Sequence, residues 1–263
     1  MDPFNVKERG SKKKYLLGSA AQLIDHTVGQ AKMEEFVWIN GKPLCQFGGR
    51  LLATYEVGQS TLSFERSDSP AGSGFIISGR QIGLRTIKLP IHIFGDTPEE
   101  TQEKVSHLLQ EFITGKTELA LPDGFIYFAV LSGQEGPVLI TEEIASLTLT
   151  LSGIRCKPMR TEQGHTFHVD GTLPQMDCIL RVTAGQTADR YTIAGITFGV
   201  GDQLPGVTLG DQIVIDGINK RVTVNGMDAV NRCDIVAFPQ VHPGINELDA
   251  PDPVTLEYYP TYL

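Results

Sequence analysis

The sequence predicts a mainly β protein of two domains with a single helix. Three observations carry this. Short apolar stretches alternate with turn residues along nearly all of the 263-residue chain, and its 28 glycines and 15 prolines suit many tight turns. One segment alone, within residues 94–115, has a clear helical period. Around residues 157–171 the pattern turns polar, and afterwards short strands follow at close spacing.

Residues 1–32 differ in charge from the rest. Lys and Arg outnumber Asp and Glu by 6 to 3 there, against 11 to 15 in 33–160 and 5 to 13 in 161–263, giving a net −9 overall. The segment "YLLGSAAQLIDHTVGQAKM" has near-helical spacing at Leu16, Leu17, Ala20, Leu23, Ile24 and Val28, weakened by Gly18 and Gly29. It reads as a flexible extension or as an arm that orders against a partner. Its apolar stretch is short and interrupted by Gln22 and Asp25, which argues against a signal peptide. No run approaches the roughly 18 apolar residues of a membrane span.

The first domain, 33–160, opens on "EEFVWINGKPL", where Asn40-Gly41 is a strong hairpin cue because a type I′ turn needs positive φ at both central residues. Strands are expected in "LLATYEVG", "STLSFER", "GFIISGR" and "RTIKLPIHIFG", and past the helix in "GFIYFAVLSG" and "ASLTLTLSGIRC". The last alternates strictly, so one face is buried. Between two of these strands, Ser67, Asp68, Ser69, Pro70, Ala71, Gly72, Ser73 and Gly74 form a polar stretch that reads as the tip of a projecting hairpin.

The helix is expected over 97–114. Thr97 can cap it, Pro98 suits the first position, and Glu100 completes a capping box. Asp96 and Glu99 favour the positive end of the helix dipole. Val105, Leu108, Leu109, Phe112 and Ile113 make one apolar stripe for packing on a sheet, and Gly115 stops the helix. The acids therefore have a structural task.

The second domain, 161–263, reads as an antiparallel sandwich or jelly roll without helix. "IVIDGINKRVTVNG" predicts a hairpin turning at Asp216-Gly217-Ile218-Asn219, with Asn225-Gly226 opening the next turn.

Catalytic patterns are absent. Gly74 and Gly79 have phosphate-loop spacing, but Arg80-Gln81 stand in place of Lys and a hydroxyl, and no helix follows. His165 and His168 lie three apart, which on a strand sends them to opposite faces, so they read as surface residues rather than metal ligands. There is no G-x-S-x-G elbow, and nothing singles out a carboxylate pair. Cys45, Cys156, Cys178 and Cys233 are far apart and read as separate thiols. The acidic body argues against a broad phosphate-binding face. The sequence thus points to no catalytic residue, metal or cofactor.

Three stretches resemble the distal tail protein (Dit) family of long-tailed phages and related prophages. They are "FVWINGKPLCQFGGRLLATYEVG", "IKLPIHIFGDTPEETQEKVSHLLQEFITGKTELALPDGFIYFAVLSG", and "GDQIVIDGINKRVTVNGMDA" with "FPQVHPGINEL" and "VTLEYYPTYL". The resemblance covers most of 34–263. It implies an N-terminal β-sandwich with one helix and a projecting hairpin, then a galectin-like β-sandwich. It also implies a hexameric ring at the virion tail tip, made in the bacterial host cytoplasm. That ring joins the tail tube protein to the hub of the baseplate, docks a receptor-binding protein, and passes tape measure and DNA through its channel. The hairpin tip, 67–74, would make the contacts between subunits. Residues 1–32 lie outside the family pattern. The alternative function is a tail module that binds host cell-wall glycans through the second sandwich. The sequence offers it few loop aromatics.

Overall fold

A computed structural model describes residues 13–17, 22–26, 37–52, 54–68, 75–199 and 206–263, with side chains for 37–52, 54–64, 81–199 and 206–263. The chain divides into two compact units, Met1–Cys156 with Leu263, and Lys157–Tyr262.

In the first unit, β1 (Lys13–Leu17) pairs antiparallel with β2 (Gln22–His26). The spacing that suggested a helix here therefore belongs to two strands. With so few residues and two interior glycines, nothing enforces the 3.6 period. Then follow β3 (Trp38–Ile39), β4 (Lys42–Pro43), β5 (Gly49–Leu51), β6 (Glu56–Val57), β7 (Leu62–Asp68), β8 (Phe75–Ile82), β9 (Arg85–Phe94), helix α1 (Pro98–Gln110), β10 (Thr117–Ala120), β11 (Ile126–Thr141) and β12 (Ile144–Cys156). The main sheet runs β4-β3-β10-β11-β12-β9-β5, with β6 also on β9. The Asn40-Gly41 turn has φ of 50° and 75°, as the hairpin cue required.

Alternation places the core. Along β12, Ala145, Leu147, Leu149 and Leu151 are buried and pair with the buried Ile93, Ile91, Leu89 and Ile87 of β9. Helix α1 packs against β9 and β12. Its start is as expected: Thr97 Oγ1 accepts from the Glu100 amide at 3.2 Å. The Glu100 carboxylate reaches back one residue further than a standard capping box, accepting from the Asp96 amide at 2.7 Å.

The helix ends at Gln110 rather than 114. The Glu111, Phe112 and Ile113 amides bond three residues back, to Leu108, Leu109 and Gln110. This tighter winding turns about 120° per residue and rotates the last positions off the stripe. Val105, Leu108 and Phe112 are buried, Leu109 is partly buried, and Ile113 is 80% exposed, so Ile113 does not belong to the packing face. Asn40 bridges this end to the sheet. Its Nδ2 donates to the Glu111 carbonyl at 3.0 Å, and its Oδ1 accepts from the Glu118 amide at 3.0 Å.

The second unit contains β13 (Arg160–Gly164), β14 (Thr166–Val169), β15 (Met176–Thr183), β16 (Tyr191–Ile193), β17 (Ile196–Phe198), β18 (Gln212–Asp216), β19 (Arg221–Val224), β20 (Met227–Asp228), β21 (Cys233–Asp234), β22 (Gln240–Val241), β23 (Gly244–Glu247) and β24 (Val254–Tyr258). The stretch read as a polar boundary thus carries β13 and β14. The larger sheet runs β13-β24-β15-β18-β19-β20, with β22 on β15; β14–β23 and β16–β17–β21 form smaller sheets. Phe167, Tyr191, Phe198 and Tyr258 sit in one core with Leu180, Ile213, Ile215 and Leu256. Core packing therefore accounts for four of the unit's seven large aromatics. Asn225-Gly226 forms its turn with φ of 51° and 78°.

A carboxylate ties the loops of this unit together. Asp252 accepts from the Tyr191 hydroxyl at 2.5 Å and from the Gly185 amide at 2.7 Å. The Tyr191 bond, then the amide, holds the Asp252 carboxyl below its usual range. Because the folded value is depressed, the stabilisation is fully present above the ordinary value of about 3.9 and is lost as pH falls through the lower folded value. Asp252→Ala is therefore expected to melt earlier than the parent at neutral pH, with the gap closing in strong acid. Calorimetry across pH checks this, and a gap that stays constant down to strong acid would contradict it.

Candidate assembly interface

Two features of the first unit leave strand edges open. The first is the β7–β8 hairpin. Leu62–Asp68 pairs with Phe75–Ile82 from Leu62↔Ile82 to Asp68↔Phe75, with a register shift after Glu65. The Gly83 amide donates to the Thr61 carbonyl at 2.7 Å and closes its base. A Cβ at Gly83 would lie 2.1 Å from Thr61 Oγ1, so the Thr61 side chain would have to turn away. The hairpin is a sheet of its own, with no third strand among the described residues. Leu62 and Phe64, two apart and so on one face, are each about half exposed (51% and 53%). A two-stranded ribbon with an exposed apolar face is marginal in water unless something covers it.

The expected tip residues fall partly within this account. Ser67 and Asp68 end β7, their backbones paired with Ile76 and Phe75. Ser69, Pro70, Ala71, Gly72, Ser73 and Gly74 lie outside the described residues.

The second feature is the far half of β11. β10 pairs with β11 only from Ile126 to Ala129. Beyond Val130, among the described residues, β11 has a partner on one side alone, β12, as far as Thr141. Val138, Leu139 and Ile140 are 63%, 47% and 54% exposed. A long edge strand with exposed apolar side chains is a template for pairing with another chain.

Sequence reasoning ended this strand near Gly133 and missed that surface. Gly133, Gly136 and Pro137 lie in or beside two of the three register shifts of one 16-residue strand. Pro is tolerated where no partner needs its missing N–H. The usable signal was the apolar run "PVLI" beside the strictly alternating β12.

On the face opposite the core, β12 presents Ser146, Thr148, Thr150 and Ser152 in a row, all half-buried. Their neighbours on β9 are His92, Pro90, Lys88 and Thr86. The result is a hydroxyl-rich sheet face with little charge.

Among the described residues no three His, Cys, Asp or Glu side chains come together as a metal site, and no helix is long and apolar enough to cross a membrane. Burial raises the Cys178 thiol to about 12, so it is inert.

Solved structures share this architecture. The crystal structure of phage SPP1 Dit (gp 19.1), described as a paradigm of the hub adsorption apparatus in Gram-positive infecting phages, aligns with a TM-score of 0.61 at 14% identity. The alignment covers 87% of this chain and 99% of that one. This chain has a Dit-like fold. The phage P2 baseplate, in its activated conformation with Ca and again with Sr, also contains a chain that aligns, with a TM-score of 0.53 at 10% identity, over 92% of this chain and 94% of that one. No family model matches the sequence, and no curated protein does either. Low identity over nearly full length is what a Dit-like fold held by buried patterning rather than by reactive side chains allows.

Proposed function

We propose that this chain is a non-enzymatic structural protein of a phage tail tip, closing with five copies of itself into a ring between tail tube and baseplate hub. In this reading the ring docks receptor-binding components, and tape measure and DNA pass through its channel. The observation that carries it is the pair of open edges in the first unit, the far half of β11 and the β7–β8 hairpin. An edge and a hairpin at different places on one subunit make a head-to-tail contact, and such contacts generate rings when the rotation closes. The 67–74 tip would bridge to the neighbour. The hydroxyl-rich face of β12 suits a channel wall, since hydroxyls without a surplus of cations do not hold a polyanion.

The test is native mass spectrometry and electron microscopy of the full chain at high concentration, together with a search for it in purified virions. Rings of six are expected. Deleting Asp68–Gly74, or making Val138→Lys with Ile140→Lys, is expected to abolish rings while leaving the melting temperature nearly unchanged. A chain that stays monomeric and is also missing from virions would overturn the proposal, and unaltered rings from both variants would overturn the interface.

A further inference from the structure

We infer that Arg85 and Arg155, at one end of the core of the first unit, hold a small oxyanion of the carboxylate or phosphate class between them. The observation that carries this is a buried guanidinium without a countercharge. Arg85 is only 5% exposed, yet none of the ion pairs among the described residues includes it, and none includes Arg155. Buried charges are normally paired, because an unpaired ion gives up its hydration with nothing in return.

The register brings the two arginines together. Arg85 opens β9 and stands opposite Gly153 of β12. Arg155 lies two residues further along β12, opposite Tyr127 of β11. Residues two apart on a strand share a face, so Arg85, Arg155 and the fully buried Tyr127 all lie on the core face. Arg85 and Arg155 are diagonal neighbours, about 7–8 Å apart at the backbone, a separation that long side chains span. Their charges act on each other. Burial first, and then the Arg155 charge, holds the Arg85 guanidinium below its usual range.

The donors select the ligand class. A guanidinium carries five N–H groups. Arg85 Nη1 donates to the Gly58 carbonyl at 2.8 Å, and Arg155 Nη2 to the Leu263 carbonyl at 3.3 Å. The Nε of each is buried and has no hydrogen-bond partner among the described residues. The guanidinium carbon of Arg155 lies 4.5 Å from the centre of the Phe125 ring, which fixes its plane and leaves its edge to donate. The neighbouring carboxylate, Asp123, is engaged elsewhere, accepting from the Tyr127 hydroxyl at 2.5 Å and from the Phe125 amide at 3.0 Å. A cation would be repelled here, and a neutral ligand would leave both charges uncompensated. An oxyanion accepts from both planar forks at once. Arg155 is half-buried whereas Arg85 is closed off, so the ion enters past Arg155. The inference does not depend on ring formation.

The test is a calorimetric titration of the full chain with acetate and, separately, with inorganic phosphate, at ionic strength held constant with chloride. Thermal unfolding followed at Trp38, the only tryptophan, is measured beside it. At least one probe is expected to bind saturably and to raise the melting temperature by several degrees. Acetate alone would assign a carboxylate ligand, and phosphate alone a tetrahedral one. Arg155 is half-buried, so Arg155→Gln should fold, and it is expected to weaken binding by about tenfold or more. Arg85→Met keeps the length of the side chain without its charge and should lose the anion-dependent rise in melting temperature. Arg221→Gln, an exposed arginine of the second unit, should bind as the parent does. The assignment is overturned if neither probe binds saturably. It is equally overturned if Arg155→Gln and Arg85→Met keep the parent's affinity and rise, or if Arg221→Gln loses them as they do.

Discussion

Leu108→Ala is expected to destabilise the first unit by about 2–5 kcal/mol. Leu108 is fully buried where α1 meets the sheet, in the same core as Ile91, Leu147 and Leu149. A helix of 13 residues has little stability by itself, so its order depends on this contact. Trp38 is the only tryptophan and lies in β3, so its fluorescence reports this unit. Denaturant unfolding followed at Trp38 should show a lower midpoint for Leu108→Ala. Leu109→Ala should cost less, because Leu109 is partly buried, and Ile113→Ala should cost almost nothing. Glu103 is exposed and makes no capping contact, so Glu103→Gln should lie within about 0.5 kcal/mol of the parent. If Leu108→Ala left the midpoint in place, the packing of α1 on the sheet would be wrong.

The elements the sequence made legible are those whose signal is local. Thr97-Pro98-Glu99-Glu100 forms its cap from neighbours in the chain, and Asn40-Gly41 and Asn225-Gly226 form turns from their own φ preferences. Strict alternation in β12 gave its buried face directly. What stayed hidden depends on distant partners. The tight last turn of α1 is set partly by Asn40, 71 residues away, which takes the Glu111 carbonyl. The length of β11 depends on β12 accepting three irregular registers. The turn at Ala194-Gly195, with φ of 47° and 83°, uses an alanine where local preference would favour Asn or Gly. The candidate sites follow the same division. The hairpin could be read from its polar tip, whereas the open edge of β11 and the meeting of Arg85 with Arg155 exist only once strands far apart in sequence lie side by side.

Gly199→Ala should have the largest effect in the second unit, a loss of about 2–5 kcal/mol. Gly199 follows β17 at φ of 83°, and a Cβ there would lie 1.7 Å from the Asp189 carbonyl oxygen. Asp189 cannot yield easily, because the same carbonyl accepts from the Gly206 amide at 3.2 Å, and the Gly206 Cα would itself lie 3.0 Å from the new Cβ. Backbone strain and backbone clash therefore act together. Gly195→Ala separates them, for Gly195 has the same φ of 83° but open space around its Cβ, so it should cost only about 1–2 kcal/mol. The unit holds no tryptophan, so hydrogen exchange in peptides covering β16 and β17 is the fitting readout. Protection there should fall steeply in Gly199→Ala and slightly in Gly195→Ala. Equal losses would show that left-handed strain alone governs both positions and that the approach of Asp189 to Gly199 is looser than the geometry requires.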